Sequence, residues 1–364
     1  VKLQNQHNKT KNSKQKRKKI KCFFFIEKML YCPGFLFRGY SMEKNSLIFV
    51  AGHKGLVGSA LVRELRSKGY NNLIMKTSSE LDLTNQVETE KFFAETKPEY
   101  VFLAAARVGG IGANNSFRAD MIYNNLMIES NVISNSYKFG VKKLLFLGSS
   151  CIYPKFAPQP MSENALLTGE LEYTNEPYAI AKIAGLKMCE SYNIQYGTNF
   201  VSVMPTNLYG ENDSFDLENG HVLPVMIRKF HEAKVHGRDY VELWGTGRPR
   251  REFLYSGDLA EAVVKIMEEV SFSDLTKGMN EIRNTHINIG TGEDITIYEL
   301  AYIIKDIVSY DGDIVWDSSK PDGTPQKLLD ISKIKSFGWK PKTRLTDGIE
   351  HVYRWYVKNK GNQE

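Results

Sequence analysis

The chain has 364 residues, 42% hydrophobic and 25% charged, enough to bury a full core as one large domain or two unequal ones. Its formal net charge of +6 is unevenly spread: residues 1–41 hold 11 Lys and Arg against one acid, while the other 323 carry 37 basic and 41 acidic side chains, a net of −4. The body of the chain therefore offers no basic face, and a nucleic-acid-binding role is excluded for it.

The basic excess sits around Lys16-Arg-Lys-Lys19, which has no folding pattern behind it and reads as a solvated, disordered tail. The apolar Cys22-Phe-Phe-Phe-Ile26 is broken by Glu27 and Lys28, so it is too short for a signal-peptide core or a bilayer span, and no membrane association is expected. The chain starts with Val and Met42 stands just ahead of the first strand, so residues 1–41 are expected to be an upstream extension. Four cysteines (Cys22, Cys32, Cys151, Cys189) show no CxxC spacing, which fits a reducing, cytoplasmic compartment and implies no metal site.

From residue 47, short β-branched or aromatic runs alternate with amphipathic stretches. Strands are predicted at Leu47–Val50, Leu73–Met75 and Tyr100–Leu103, and helices at Leu56–Lys68 and Val87–Glu95, a βαβαβ order that signals a parallel sheet. A helix at Phe117–Phe139 then leads to a buried strand, Lys143-Leu-Leu-Phe-Leu-Gly148. Tyr178–Tyr196 reads as the next helix and Phe200–Met204 as the next strand. The period is lost from Pro205 onward, and Asp258–Met267 with His286–Gly290 mark one more return to the sheet. The predicted fold is α/β: a Rossmann-type doubly wound parallel sheet over 42–205, with a return segment at about 254–293, and a smaller C-terminal α/β lobe built from 206–253 and 294–364.

Gly52-His53-Lys54-Gly55-Leu56-Val57-Gly58 follows the first strand and opens the first helix. Its glycines suit a tight turn, close pyrophosphate approach and helix–sheet packing, and the helix N-terminus then meets the phosphates. The alternative is a purely structural turn. The GxxGxxG spacing favours the short-chain dehydrogenase form of the fold. An acid at the end of the second strand would select NAD; here Thr77-Ser78-Ser79 stand there, and Lys54 supplies positive charge, so NADP(H) is favoured.

The strand ending at Gly148 runs into Ser149-Ser150-Cys151-Ile152-Tyr153-Pro154, and Tyr178-Ala-Ile-Ala-Lys182 follows 27 residues after Cys151. Tyr178 and Lys182, at i and i+4, share a helical face, where the ammonium is expected to lower the phenol's pKa. Tyr40/Lys44 and Tyr356/Lys360 match the same spacing, so chain order rather than the motif singles out Tyr178. Ser149 or Ser150 would hydrogen-bond a substrate carbonyl, or merely cap the strand end. Cys151 reads equally as a core residue and His221 as an ordinary helix-start histidine.

Five segments together resemble the GDP-L-fucose synthases, a family of extended short-chain dehydrogenase/reductases: Arg107-Val-Gly-Gly-Ile-Gly-Ala-Asn114, Gly148–Pro154, Asn175-Glu-Pro-Tyr-Ala-Ile-Ala-Lys182, Met204-Pro-Thr-Asn-Leu-Tyr-Gly210 and His221-Val-Leu-Pro224. The resemblance runs from about Ser46 to Tyr356 and includes Trp244–Phe253 and Lys320–Lys327. It implies epimerisation of GDP-4-keto-6-deoxy-D-mannose at C3 and C5, with Cys151 as base and His221 as acid, followed by NADPH reduction at C4. Tyr178, Lys182 and Ser149 would serve the reduction. By the same resemblance Leu147, Gly148, Ser149, Ser150, Pro205, Thr206, Asn207, Leu208 and His221 lie along the cofactor, and Lys229, Trp244, Arg251, Asp322 and Lys327 face the GDP-sugar. A homodimer through the two long helices is also implied.

Three departures stand out: the basic tail, the absence of an arginine after Met75, and Lys229 where a bidentate arginine is common. The rivals are a 4-epimerase that retains NAD, which needs Tyr178 and Lys182 but not Cys151 with His221, and a non-catalytic dinucleotide sensor, which usually lacks the tyrosine or lysine.

Overall fold

The computed structural model describes residues 42–320 and 322–361, and the expected basic extension lies outside them. The strands are β1 (Ile48–Ala51), β2 (Leu73–Ile74), β3 (Tyr100–Leu103), β4 (Lys143–Leu147), β5 (Phe200–Pro205), β6 (Asn207–Tyr209), β7 (Tyr240–Trp244), β8 (Arg250–Arg251), β9 (Phe253–Tyr255), β10 (Ile287–Ile289), β11 (Ile295–Thr296), β12 (Asp313–Asp317) and β13 (Gln326–Lys327). Six of them form one parallel sheet in the order β2-β1-β3-β4-β5-β10. β1, β3, β5 and β10 are buried along their whole length, as strands covered on both faces must be.

The order decides where the helices go. The chain steps one way from β1 to β2 and the other way from β2 past β1 to β3, β4 and β5, so right-handed crossovers put the connecting helices on opposite faces. Leu56–Ser67 accordingly packs on Ser256–Glu269, while Gln86–Thr96, Arg118–Lys138 and Glu176–Tyr196 pack together. The predicted Phe117–Phe139 helix is Arg118–Lys138, with Phe117 and Phe139 as its caps; a short further helix, Ile111–Ser116, precedes it across a break at Phe117, whose φ of −112° and ψ of 38° leave the helical region. Glu176–Tyr196 begins two residues before the predicted Tyr178, because Pro177 falls in the first turn, where its missing N–H costs nothing.

A second hydrophobic cluster gathers Tyr209, Phe215, Ile227, Phe230, Leu243, Leu300, Ile304, Ile349 and Val352. Small sheets edge it: β7 with β12, β6 with β9, and β8 between β11 and β13. Leu329, Ile331, Ile334 and Trp339, from the segment assigned to this lobe by sequence, instead join the cluster under the main sheet. The chain thus crosses between the two clusters more often than its periodicity reveals.

Candidate active site

All the residues singled out from the sequence line one cleft of about 1530 Å³. It lies where strand order reverses between β1 and β3, at the carboxyl ends of the strands.

At one end β1 delivers the glycine turn. Gly52 has φ +84°, and a Cβ there would sit 2.8 Å from the Ala105 nitrogen; one on Gly58 would sit 2.0 Å from the Gly52 oxygen. Gly55, the N-cap of Leu56–Ser67, offers no side chain to the first-turn N–H groups, which leaves them for an anion. Lys54, Ser78 and Ser79 line this end, as does Lys76, which the sequence reading passed over. Glu80, the first acid after β2, is occupied: it accepts from the Thr77 N–H at 2.8 Å and the Thr77 hydroxyl at 2.7 Å, and pairs with Lys76 at 3.8 Å. Those Thr77 bonds hold its carboxyl below the usual range. The donor set fits a dinucleotide with an extra phosphate on its adenosine ribose, since Lys54 and Lys76 put two ammonium groups at this end.

In the middle, Leu147 ends β4 and the chain turns through Ser149. The Ser149 hydroxyl accepts from the Cys151 N–H at 3.3 Å, so the capping role is real, yet the side chain also reaches the cleft. Ser150 is buried. Tyr153 locks this segment down: its hydroxyl bonds Asn288 of β10 and lies 2.9 Å from His286 Nε2. Burial pushes the Cys151 thiol up, opposed by the Lys327 ammonium, the Ser149 hydroxyl and Lys182. His221, solvent-accessible within the cleft but flanked by its walls, has its imidazole pushed below the usual range by desolvation.

Tyr178 departs from expectation. Its phenol is held well above the ordinary value by burial, then by the charges of Cys151 and Glu129, with a Ser149 hydrogen bond acting the other way. Lys182 does not lower it here, because its ammonium is engaged elsewhere: it donates to the Leu147 carbonyl at 3.0 Å and pairs with Glu129 at 3.1 Å. Glu129 had no signal in the sequence, since one acid within a long helix usually marks its solvated face.

The far end is cationic. Burial holds Arg251 down to about 10, with Asp322 acting the other way. Lys327 is likewise depressed by burial; Cys151 and Glu172 raise it and Arg251 lowers it further. Lys229 Nζ donates to the Glu242 carbonyl at 2.9 Å. Trp244 is 55% exposed at the mouth, beneath the Lys320 ammonium. The Asp322 carboxylate takes the Thr246 N–H at 2.7 Å and hydroxyl at 2.8 Å, so it shapes the turn after Trp244. The Arg107–Asn114 segment forms a wall, and its Gly110 N–H donates to the Asn219 carbonyl at 2.8 Å, two residues before His221.

Fold and cleft together define a nucleotide-binding enzyme of the α/β class. The chain belongs to the NAD dependent epimerase/dehydratase family, whose profile matches residues 48–290. It is 57% identical over 321 residues to GDP-L-fucose synthase 1 of Arabidopsis thaliana, covering 88% of this chain and 96% of that one. To the GDP-L-fucose synthase of Escherichia coli (strain K12) it is 51% identical over 315 residues, covering 86% and 97%. Among solved structures it resembles a GDP-mannoheptose C4 reductase from Campylobacter jejuni with NADP bound, at TM-score 0.80 and 49% identity, covering 86% and 99%.

The glycine turn yields a direct test. Gly58→Ala places a methyl against backbone that has no room to give, so NADPH binding, followed by fluorescence titration, is expected to weaken by about tenfold or more, or ~1.4 kcal/mol, with unchanged circular dichroism. Unaltered affinity would mean that the phosphates approach elsewhere.

Proposed function

We propose that this protein converts GDP-4-keto-6-deoxy-D-mannose to GDP-L-fucose, epimerising C3 and C5 and then reducing C4 with NADPH. The observation that carries the reading is that two acid/base sets, Cys151 with His221 and Tyr178 with Lys182 and Ser149, face one cleft. A 4-epimerase that recycles NAD has no use for the first set. The relatives named above, at 57% and 51% identity, support the same substrate.

A ketone at C4 acidifies the C–H bonds at both neighbouring carbons, so one base and one acid serve each in turn. The Cys151 thiolate takes the proton, leaving an enolate, and the His221 imidazolium returns a proton to the opposite face. The Lys327 ammonium beside Cys151 favours its thiolate. NADPH supplies the hydride for C4. Tyr178 gives its phenolic proton to O4, Ser149 hydrogen-bonds that oxygen, and Lys182 holds the nicotinamide ribose. Lys54, Lys76, Ser78 and Ser79 receive the 2′-phosphate, and Arg251, Lys229 and Lys327 receive the sugar nucleotide's diphosphate. The sheet and its helices then serve as the NADP-binding domain, and the second cluster as the lobe that holds the sugar nucleotide.

Among the described residues no helix is long and apolar enough to cross a membrane, and an enzyme with free thiols at Cys151 and Cys189 suits the cytoplasm. Tyr123, Tyr137, Ile180, Ile194 and Tyr196 stand exposed on Arg118–Lys138 and Glu176–Tyr196, an apolar face that a second copy covers in a homodimer. Sedimentation at micromolar concentration is expected to give a dimer; a monomer removes that contact.

Purified protein is expected to oxidise NADPH stoichiometrically with GDP-4-keto-6-deoxy-D-mannose and to release GDP-L-fucose on chromatography. Cys151→Ser is expected to lose about a hundredfold or more of solvent-deuterium incorporation at C3 and C5, while Tyr178→Phe keeps that exchange and loses C4 reduction to a similar degree. Turnover of UDP-galactose in place of this substrate, or equal loss of both activities in both variants, overturns the reading.

The pH dependence follows from burial. Thiol and imidazole both prefer their neutral forms, so the reacting thiolate–imidazolium pair is a minor state. Its fraction is constant between the two pKa values and falls outside them. The kcat/KM for deuterium incorporation is expected to be flat through neutrality, with an acid limb below the ordinary histidine value of 6.5 and a basic limb above the ordinary thiol value of 9.0. A limb falling between those values contradicts the assignment.

A further inference from the structure

Glu129 has no role in the chemistry above. It projects from Arg118–Lys138, is 1% exposed, and holds Oε1 3.1 Å from the Nζ of Lys182, itself 2% exposed. That ammonium lies 4.9 Å from the Phe146 ring centroid and 5.7 Å from that of Tyr178. On the facing helix Gly185 leaves the room that the carboxylate fills, since a Cβ there would come within 2.6 Å of Glu129 Oε2. Burial pushes the Glu129 carboxyl up, and Lys182 acts against it. A buried carboxylate is costly unless paired, and a helix needing only shape here would carry an apolar residue.

We propose that Glu129 is a positioning residue for the reduction: it pins the Lys182 ammonium and offsets its charge, so that Tyr178 keeps its proton until O4 of the sugar takes it. This rests on the reductase reading given above. The groups facing the Tyr178 phenol are Ser149 and Cys151 from the end of β4, Lys182 from its own helix and Glu129 from the packed helix, with Lys327 beside Cys151. Without the carboxylate, the ammonium near the ring is uncompensated and favours the phenolate, so the proton donor is lost at lower pH. The same arrangement suits a phenol that works as an acid in ketone reduction rather than as a base in alcohol oxidation.

The test is single-turnover NADPH oxidation from neutral to alkaline pH in Glu129→Gln and Glu129→Met, beside C3/C5 deuterium incorporation with NADP+ in place of NADPH. In both variants the basic limb of NADPH oxidation is expected to move down by about one pH unit or more. Deuterium incorporation should stay within about threefold of the unsubstituted protein. An unmoved limb, equal loss of both activities, or failure of both variants to fold by circular dichroism overturns the proposal. If the unsubstituted protein does not oxidise NADPH with this sugar, the functional reading falls instead, so the two failures are told apart.

Discussion

Lys182 is the point on which the site depends, because one ammonium ties three elements together. It reaches from Glu176–Tyr196 to the last carbonyl of β4 and to a carboxylate on Arg118–Lys138. Two of its three N–H directions face inward, and its charge is met within the protein rather than by solvent. The end of β4, which carries Ser149 and Cys151, is therefore fixed relative to Tyr178 before any ligand arrives. Tyr153, bonded to His286 and Asn288, fixes the same segment from its other side.

Around that point the cleft is polarised in a way that suits two anionic ligands sharing one reaction centre. Lysines and a bare helix N-terminus stand at one end, Arg251, Lys229 and Lys327 at the other. Between them thiol, imidazole and phenol are all biased by burial toward their neutral forms. The resting centre thus carries little unpaired charge, and the Lys327 ammonium beside Cys151 favours the thiolate when the base is needed.

Much of this was legible in the chain. The apolar runs of β1, β3, β4 and β5, the glycine turn and the order Ser149, Cys151, Tyr178, Lys182 all follow from local periodicity and from catalytic groups falling at strand ends. The second lobe was less so. Its strands are two to five residues long and pair across large sequence distances, as in β8 with β11 and β13, so no repeating period announces them. Residues 329–339 carry an apolar pattern that says they are buried but not against which cluster. The short helix Ile111–Ser116 gave no sign either, since six residues rich in Gly and Asn are too few and too polar to show an apolar period.

The sequence by itself determined the fold class and the catalytic residue types, because hydrophobic period and motif order are properties of neighbouring residues. Only the tertiary structure decided the charges that those residues feel. The i, i+4 spacing of Tyr178 and Lys182 predicted a lowered phenol, and the fold reversed it, first by burying the phenol, then by setting Cys151 near it and bringing Glu129 to the Lys182 ammonium from 53 positions earlier in the chain. It likewise set Lys327 beside Cys151, and Lys76 with Lys54 along one end of the cleft. Electrostatic environment depends on burial and on distance in space, and neither is written in the spacing of residues along a chain.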